Sequence, residues 1–245
     1  MVKLVYSFNT TPNQMGLENI MGRQIVVYKK AMEVASRFYP ITLWTDERGA
    51  EELGEYATEI KMLKKSTPNY LWCEPKYEAM LEEDADTSIF IDGDVFLSGR
   101  IHFNPDCDVH FEHFEERTFA YGYKPQVDIF NSEKLQNIFP EWTPTLFGAY
   151  NVGILKFGSN EIKHKFRDTF YRMKDYYYNV ANLDRVKFSP NIPEMVMEEY
   201  ALHCLSKFHN WKVDDLSQHN DYIHMYGFNK YRTGFLNLIY SNGNR

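Results

Sequence analysis

The amino-acid sequence predicts an α/β fold in which helices flank a central, mostly parallel sheet. Three observations predict it. Short apolar runs alternate with helix-compatible stretches through the first half of the chain, the pattern of βαβ units joined by right-handed crossovers. The run Ser88 to Ile91 is short, β-branched and aromatic, and stops at Asp92-Gly93-Asp94, as a strand buried on both faces does. Of the 245 residues, 44% are hydrophobic and 16% aromatic, enough to fill a substantial core. Residues 1–245 are therefore expected to form a single domain, regular in its first half and more irregular in its second.

Each element follows from local pattern. Val2 to Phe8 reads as the first strand, followed by a polar loop, Asn9 to Asn19. Ile20 to Phe38 has helical spacing at Ile20, Val27, Ala31, Val34 and Phe38, and Pro40 ends it. Ile41 to Trp44 is a second strand closing on Thr45-Asp46. Glu47 to Tyr56 is helical in composition, although Gly49 and Gly54 interrupt it. Ala57 to Leu63 is a weaker strand, Ser66 to Asn69 a turn, and Tyr70 to Glu83 the helix that leads to the central strand. From Arg100 to Pro125 the pattern turns irregular. Val127 to Phe130 reads as a strand, Ser132 to Ile138 as a short helix and Pro140 to Gly148 as a loop. Tyr150 to Phe157 is an apolar strand and Glu161 to Val180 a helix. Pro193 to Phe208 is a further helix and Trp211 to Val213 a short strand. Tyr222 to Tyr226 is extended, and Gly227 opens a loop that carries Lys230.

Composition excludes several functions. A net charge of −7 argues against a general nucleic-acid binder held by phosphate contacts. No apolar run approaches the ~20 residues of a membrane span, so no span is expected; peripheral membrane contact stays open. The N-terminus has no secretory pattern. Three widely spaced cysteines, Cys73, Cys107 and Cys204, read as free thiols of a reducing compartment, with the cytosol as default. No G-x-S-x-G elbow and no phosphate-binding G-x-x-x-x-G-K-[ST] loop is present.

The stretch Thr87 to Ser98, TSIFIDGDVFLS, carries the chemistry. In open α/β sheets ligands bind beyond the carboxyl ends of the strands, and Asp92 and Asp94 stand at such an end. Two adjacent carboxylates repel unless a cation relieves them, so a hard divalent metal is the natural occupant. Gly93 between them would let the backbone approach a ligand; an Asp-Gly turn chosen only for its conformation is the plainer reading.

Four features then fall in order: Trp72 with Lys76, Asp92-Gly93-Asp94, Asn151-Val152-Gly153, and His224-x-x-Gly227-x-x-Lys230. Together they resemble metal-dependent glycosyltransferases of the GT-A (nucleotide-diphospho-sugar transferase) fold, most of all family 8, the glycogenin and bacterial galactosyltransferase group. The resemblance implies that Asp92, Asp94 and His224 bind Mn²⁺ (or Mg²⁺), and that Lys230 and Gly227 contact the donor diphosphate. It implies that Lys76, Asn151 and Gly153 lie near the donor sugar and Asp92 near its ribose. Ser7, Asp46 and Gly93 join the donor-binding set. Glu198-Glu199 stands where family 8 often carries Asp-Gln, and Tyr231-Arg232 where a Pro-Trp pair often follows the lysine.

The expected activity is transfer of a hexose from a UDP-sugar donor to an acceptor hydroxyl, with retention of configuration as in family 8; a glycan, a lipid-linked sugar or a protein remains open as acceptor. A divalent ion and a lysine at the same phosphates suit a leaving group that gains negative charge. One imidazole ligand favours Mn²⁺ over Mg²⁺, and it must be neutral to bind, so activity should fall at low pH. An inverting enzyme would instead use Glu194, Glu198 or Glu199 as base. A sugar nucleotidyltransferase is the second reading, against which the stretch Ser7 to Gly16 has one Gly and no Lys or Arg; an inactive binding module is the third. Plainer expectations stand beside these: Asp46 as a helix N-cap, Lys76 on an exposed helix face, His224 as an ordinary half-buried strand histidine. His102, His110 and His113 are expected as surface residues of an acceptor loop and not as a second metal site, and Tyr171 to Tyr178 as core.

Overall fold

The computed structural model describes residues 1–10, 18–64, 71–116, 127, 130, 133–177 and 192–225. Contacts divide the chain into two compact units: Met1–Glu83, Thr87–His102 and the chain from His219 form the first, and Asp84–Asp86 with Phe103–Gln218 the second.

The first unit has the alternating order β1 (Lys3–Phe8), α1 (Glu18–Ala35), β2 (Ile41–Thr45), α2 (Glu47–Leu53), β3 (Glu59–Met62), α3 (Glu74–Glu82), β4 (Ser88–Ile91) and β5 (Val95–Leu97). Its sheet runs β3-β2-β1-β4, and every pairing is parallel, with Leu43 beside Ile60, Leu4 beside Ile41 and Val5 beside Phe90. β2 and β4 are buried along their whole lengths, which is why they read as unbroken apolar runs. Leu4, Leu43, Ile89 and Phe90 are fully enclosed, each stabilising the fold by about 1.5–3 kcal/mol. α3 packs on β1 and β2. The buried Glu83 carboxylate ties the strands together, accepting from Lys3 Nζ at 2.7 Å, Lys61 Nζ at 2.8 Å and Trp44 Nε1 at 2.8 Å.

The second unit holds β6 (Val109–Glu115), α4 (Glu133–Ile138), β7 (Ala149–Phe157), α5 (Asn160–Asp175), α6 (Ile192–Met195), α7 (Ala201–Phe208) and β8 (Val213–Asp215). β6 pairs antiparallel with β7 and parallel with β8, and its register with β7 shifts between Phe111 and His113. A π-helical turn, Val196–Tyr200, joins α6 to α7. After β8 the chain returns to the first unit as β9 (Tyr222–His224), antiparallel to β5.

The α/β class, the mostly parallel sheet and its flanking helices agree with the sequence reading, and several boundaries moved. The helix expected from Pro193 to Phe208 is interrupted by the π-helical turn, and the one expected from Glu161 is α-helical over Asn160–Asp175, among other shifts. The first helix ends at Ala35, and two tighter turns, Arg37 N–H to Val34 O and Phe38 N–H to Ala35 O, complete it. The helix expected from Tyr70 starts at Glu74, where Pro75 sits in the first turn, a position that needs no N–H. The last short strand is Val213–Asp215 instead of Trp211 to Val213.

Two expectations are corrected outright. The irregular stretch Arg100 to Pro125 contains β6, whose His110, Glu112 and Glu115 are buried and so hide the apolar alternation of a strand. Val127 and Phe130, expected in a strand, are helical and fully buried; a spacing of three puts both on one helix face. The turn Ser66 to Asn69 lies outside the described residues. All three cysteines are free thiols. Among the described residues no helix is long and apolar enough to cross a membrane.

Candidate active site

β4 ends at Ile91, and the chain turns through Asp92-Gly93-Asp94 into β5, closed by a hydrogen bond from Val95 N–H to the Asp92 carbonyl at 3.2 Å. β9 then supplies the third residue. The register sets Val95 opposite His224, and Met225 N–H donates to the Asp94 carbonyl at 3.0 Å. An antiparallel pair thus carries a residue 130 positions away in sequence to the side of the turn. One ligand atom each from Asp92, Asp94 and His224 lie within 4.8 Å of one another, with His224 Nε2 at 3.3 Å from Asp94 Oδ1. No other such group of three occurs among the described residues.

Electrostatics make this cluster costly by itself. Enclosure pushes the Asp92 carboxyl above its ordinary range; Lys76 acts against that shift, and the neighbouring Asp94 charge adds to it. Two carboxylates held so close favour a cation or a shared proton. The donor set of two carboxylate oxygens and one imidazole nitrogen fits a divalent first-row metal. Lys76 is not on an exposed face, as its helix position suggested: its side chain is 6% exposed, and Nζ lies 2.7 Å from Asp92 Oδ1.

Gly93 is glycine for a reason the sequence did not reveal. Its φ is not in the left-handed region, but an added Cβ would collide with the ring of Tyr28. That ring packs on Phe8 with centroids 4.3 Å apart, and its hydroxyl donates to the Ser7 carbonyl at 3.2 Å. Tyr28 therefore braces the turn against the end of β1. Asp46 is an N-cap: Oδ1 accepts from Gly49 N–H at 2.9 Å, while Oδ2 accepts from the Thr10 N–H at 3.0 Å and hydroxyl at 2.7 Å.

Asn151, Gly153, Glu198 and Glu199 belong to the second unit. Asn151, 4% exposed, donates through Nδ2 to Glu115 Oε1 at 2.8 Å and accepts from Gly153 N–H at 2.9 Å. Glu198 and Glu199 are buried on the π-helical turn, and Glu194 is buried in α6. His113 stands between two carboxylates, Nδ1 at 3.4 Å from Glu112 Oε1 and Nε2 at 3.5 Å from Glu115 Oε1. Burial opposes its protonation, but hydrogen bonds to Glu112 and Glu115 and their charges prevail and raise its pKa to about 9. His110 is buried, with Nδ1 at 2.8 Å from Asp214 Oδ2. The expectation of surface loop histidines is thus corrected for His110 and His113, which lie in β6. The Glu112–His113–Glu115 group had no sequence signal beyond its charge density. Gly227, Lys230 and Tyr178 lie outside the described residues.

No family model matches the chain, and no curated protein matches it. Solved structures do. The glycosyltransferase GlyE of Streptococcus pneumoniae TIGR4 is 11% identical with a TM-score of 0.44, over 88% of this chain and 46% of GlyE, so this chain spans under half the length of that relative. The 4-diphosphocytidyl-2C-methyl-D-erythritol synthase of Anaerococcus prevotii DSM 20548 is 10% identical with a TM-score of 0.40, over 100% of this chain and 99% of that one. The CTP:phosphocholine cytidylyltransferase LicC of Streptococcus pneumoniae is 12% identical with a TM-score of 0.50, over 97% of this chain and 99% of LicC. This last likeness extends along both chains, and at such identity it shows a shared fold.

Proposed function

We propose that this chain is a metal-dependent glycosyltransferase that moves a hexose from a UDP-linked sugar to an acceptor hydroxyl. The observation that carries the reading is the convergence of Asp92, Asp94 and His224 within 4.8 Å at the carboxyl end of a parallel strand, where ligands of such sheets bind. These three residues would hold the ion, Mn²⁺ ahead of Mg²⁺ because one ligand is nitrogen. A bound ion supplies positive charge to the diphosphate as its bond to the anomeric carbon breaks. Lys76 orients Asp92, and Tyr28 fixes the turn from the side of Gly93. Lys230 would add a second positive charge at the phosphates, as family 8 resemblance implies. Retention rests on the same resemblance. Proton NMR of the first-formed product decides it, and inversion would move the base role to Glu194, Glu198 or Glu199.

The test is a thermal-shift panel of UDP-, GDP-, CMP- and dTDP-sugars, each with and without Mn²⁺. A ligand that binds only the folded state raises its melting temperature by mass action. The expected result is a Mn²⁺-dependent rise for one UDP-sugar that disappears in Asp94→Ala. A shift that is indifferent to Mn²⁺ and to Asp94→Ala would sink the metal-site reading.

A second reading has an observation of its own. The likeness to LicC covers nearly the whole of both chains, which keeps nucleotidyl transfer as the competitor. Pyrophosphate release from CTP or UTP with a sugar phosphate or phosphocholine would establish it in place of sugar transfer.

A further inference from the structure

The third candidate ligand is carried by a short strand. β9 is three residues long and, among the described residues, pairs only with β5, in a sheet of two strands. β5 is anchored, with Val95 and Leu97 buried and the strand packed on α1. β9 buries much less of itself, since Ile223 is 58% exposed and Tyr222 half-buried. A strand pair of this size is marginal in water, and segments with few buried apolar contacts open locally before the fold does. The hold on β9 concentrates at its end, and on one residue. Met225, itself buried, donates its N–H to the Asp94 carbonyl at 3.0 Å, and His224 Nε2 lies 3.3 Å from Asp94 Oδ1. Opening of β9 would carry the imidazole away, whereas Asp92 and Asp94 would stay on their own turn, closed by Val95 N–H to the Asp92 carbonyl.

We infer, resting on the metal reading above, that β9 is a metal-controlled strap. It opens readily in the metal-free protein, and occupancy of Asp92, Asp94 and His224 fastens it. The coupling runs both ways, as linkage requires: with β9 open, two carboxylates remain to bind the metal, and they bind it more weakly. A ligand that binds only the closed form makes opening rarer, by about 100-fold when free ligand is about a hundred times its Kd.

The test is hydrogen exchange read at single amides, in EDTA and in Mn²⁺ at about a hundred times the Kd that calorimetry gives. In EDTA the Met225 amide should exchange much faster than those of Leu4 and Leu43 in the buried strands β1 and β2. Mn²⁺ should slow it about 100-fold. In His224→Gln, Mn²⁺ should leave the Met225 amide at its EDTA rate. Equal protection of Met225 and Leu4 in EDTA overturns the inference, because β9 then opens only with its whole unit. An unchanged Met225 rate despite calorimetric Mn²⁺ binding overturns it too, and leaves the metal site standing. Slowing that persists in His224→Gln has the same force, since the imidazole is then not the fastener. Failure of the wild type to bind Mn²⁺ removes both readings.

Discussion

Among the described residues each unit places a histidine among two carboxylates, and the two groups differ in what they can hold. At Asp92, Asp94 and His224, one ligand atom from each residue lies within 4.8 Å of the other two. At Glu112, His113 and Glu115, the imidazole lies between the acids, with Nδ1 facing one and Nε2 the other at 3.4 and 3.5 Å. The ring separates the carboxylates, both nitrogens become donors, and the group binds a proton. Converging lone pairs favour a metal ion, whereas an interposed ring favours imidazolium. Residue types alone do not distinguish the two cases; direction does.

Metal titration gives the largest contrast. Asp94→Ala is expected to lower Mn²⁺ affinity by at least about a hundredfold, since it removes a direct ligand, where loss of a mere supporting contact costs 10–100-fold. Glu115→Ala is expected to leave it unchanged. Equal losses in calorimetry would mean that the ion does not sit at the converging group. Next comes the pair that stabilises Asp92. Lys76→Met is expected to cost about 2–3 kcal/mol in metal-free urea denaturation, and Mn²⁺ should recover part of it by supplying the missing positive charge. No recovery would separate Lys76 from the metal.

The proton-binding group gives a pH signature of opposite kind. His113 has its folded pKa raised to about 9 from the ordinary 6.5, so its contribution is fully present below pH 6.5 and is lost as pH rises through 9. Wild-type stability should fall across that window by at most about 3 kcal/mol, and His113→Gln should flatten the fall. Parallel profiles for the two proteins would contradict the trapped proton. The smallest effect is expected outside both groups: Asp46→Ala should cost about 1 kcal/mol through the lost cap, with Mn²⁺ affinity untouched.

Much of this was readable from the sequence where local pattern and buried strand coincide. Ser88 to Ile91 is β4 residue for residue, and Asp92 and Asp94 stand at its carboxyl end. His224 was legible through the resemblance, but its physical reason, the Val95–His224 register, is a long-range pairing that no local window contains. β6 was missed because its sequence, VHFEHFE, buries the charged residues that usually mark a surface. Tyr28 escaped for a related cause, and so did the burial of Lys76 beside Asp92, although the resemblance had named that lysine. A lysine looks solvated and a tyrosine looks like core until the partner is known, and here the partners are Asp92 and the bare face of Gly93.

The π-helical turn has a consequence for how this chain tolerates change. Val196–Tyr200 carries one residue more than an α-helix needs to cover the same rise, so α7 leaves it rotated by about 100° from the phase that an unbroken helix would give it. Deleting a single residue there would not merely shorten a helix. It would reset the phase of Ala201–Phe208, turning buried His203 and Cys204 off the face they now occupy, and would swing Glu198 and Glu199 away from where they lie. Substitution is the mild perturbation in this segment, and a one-residue deletion the severe one.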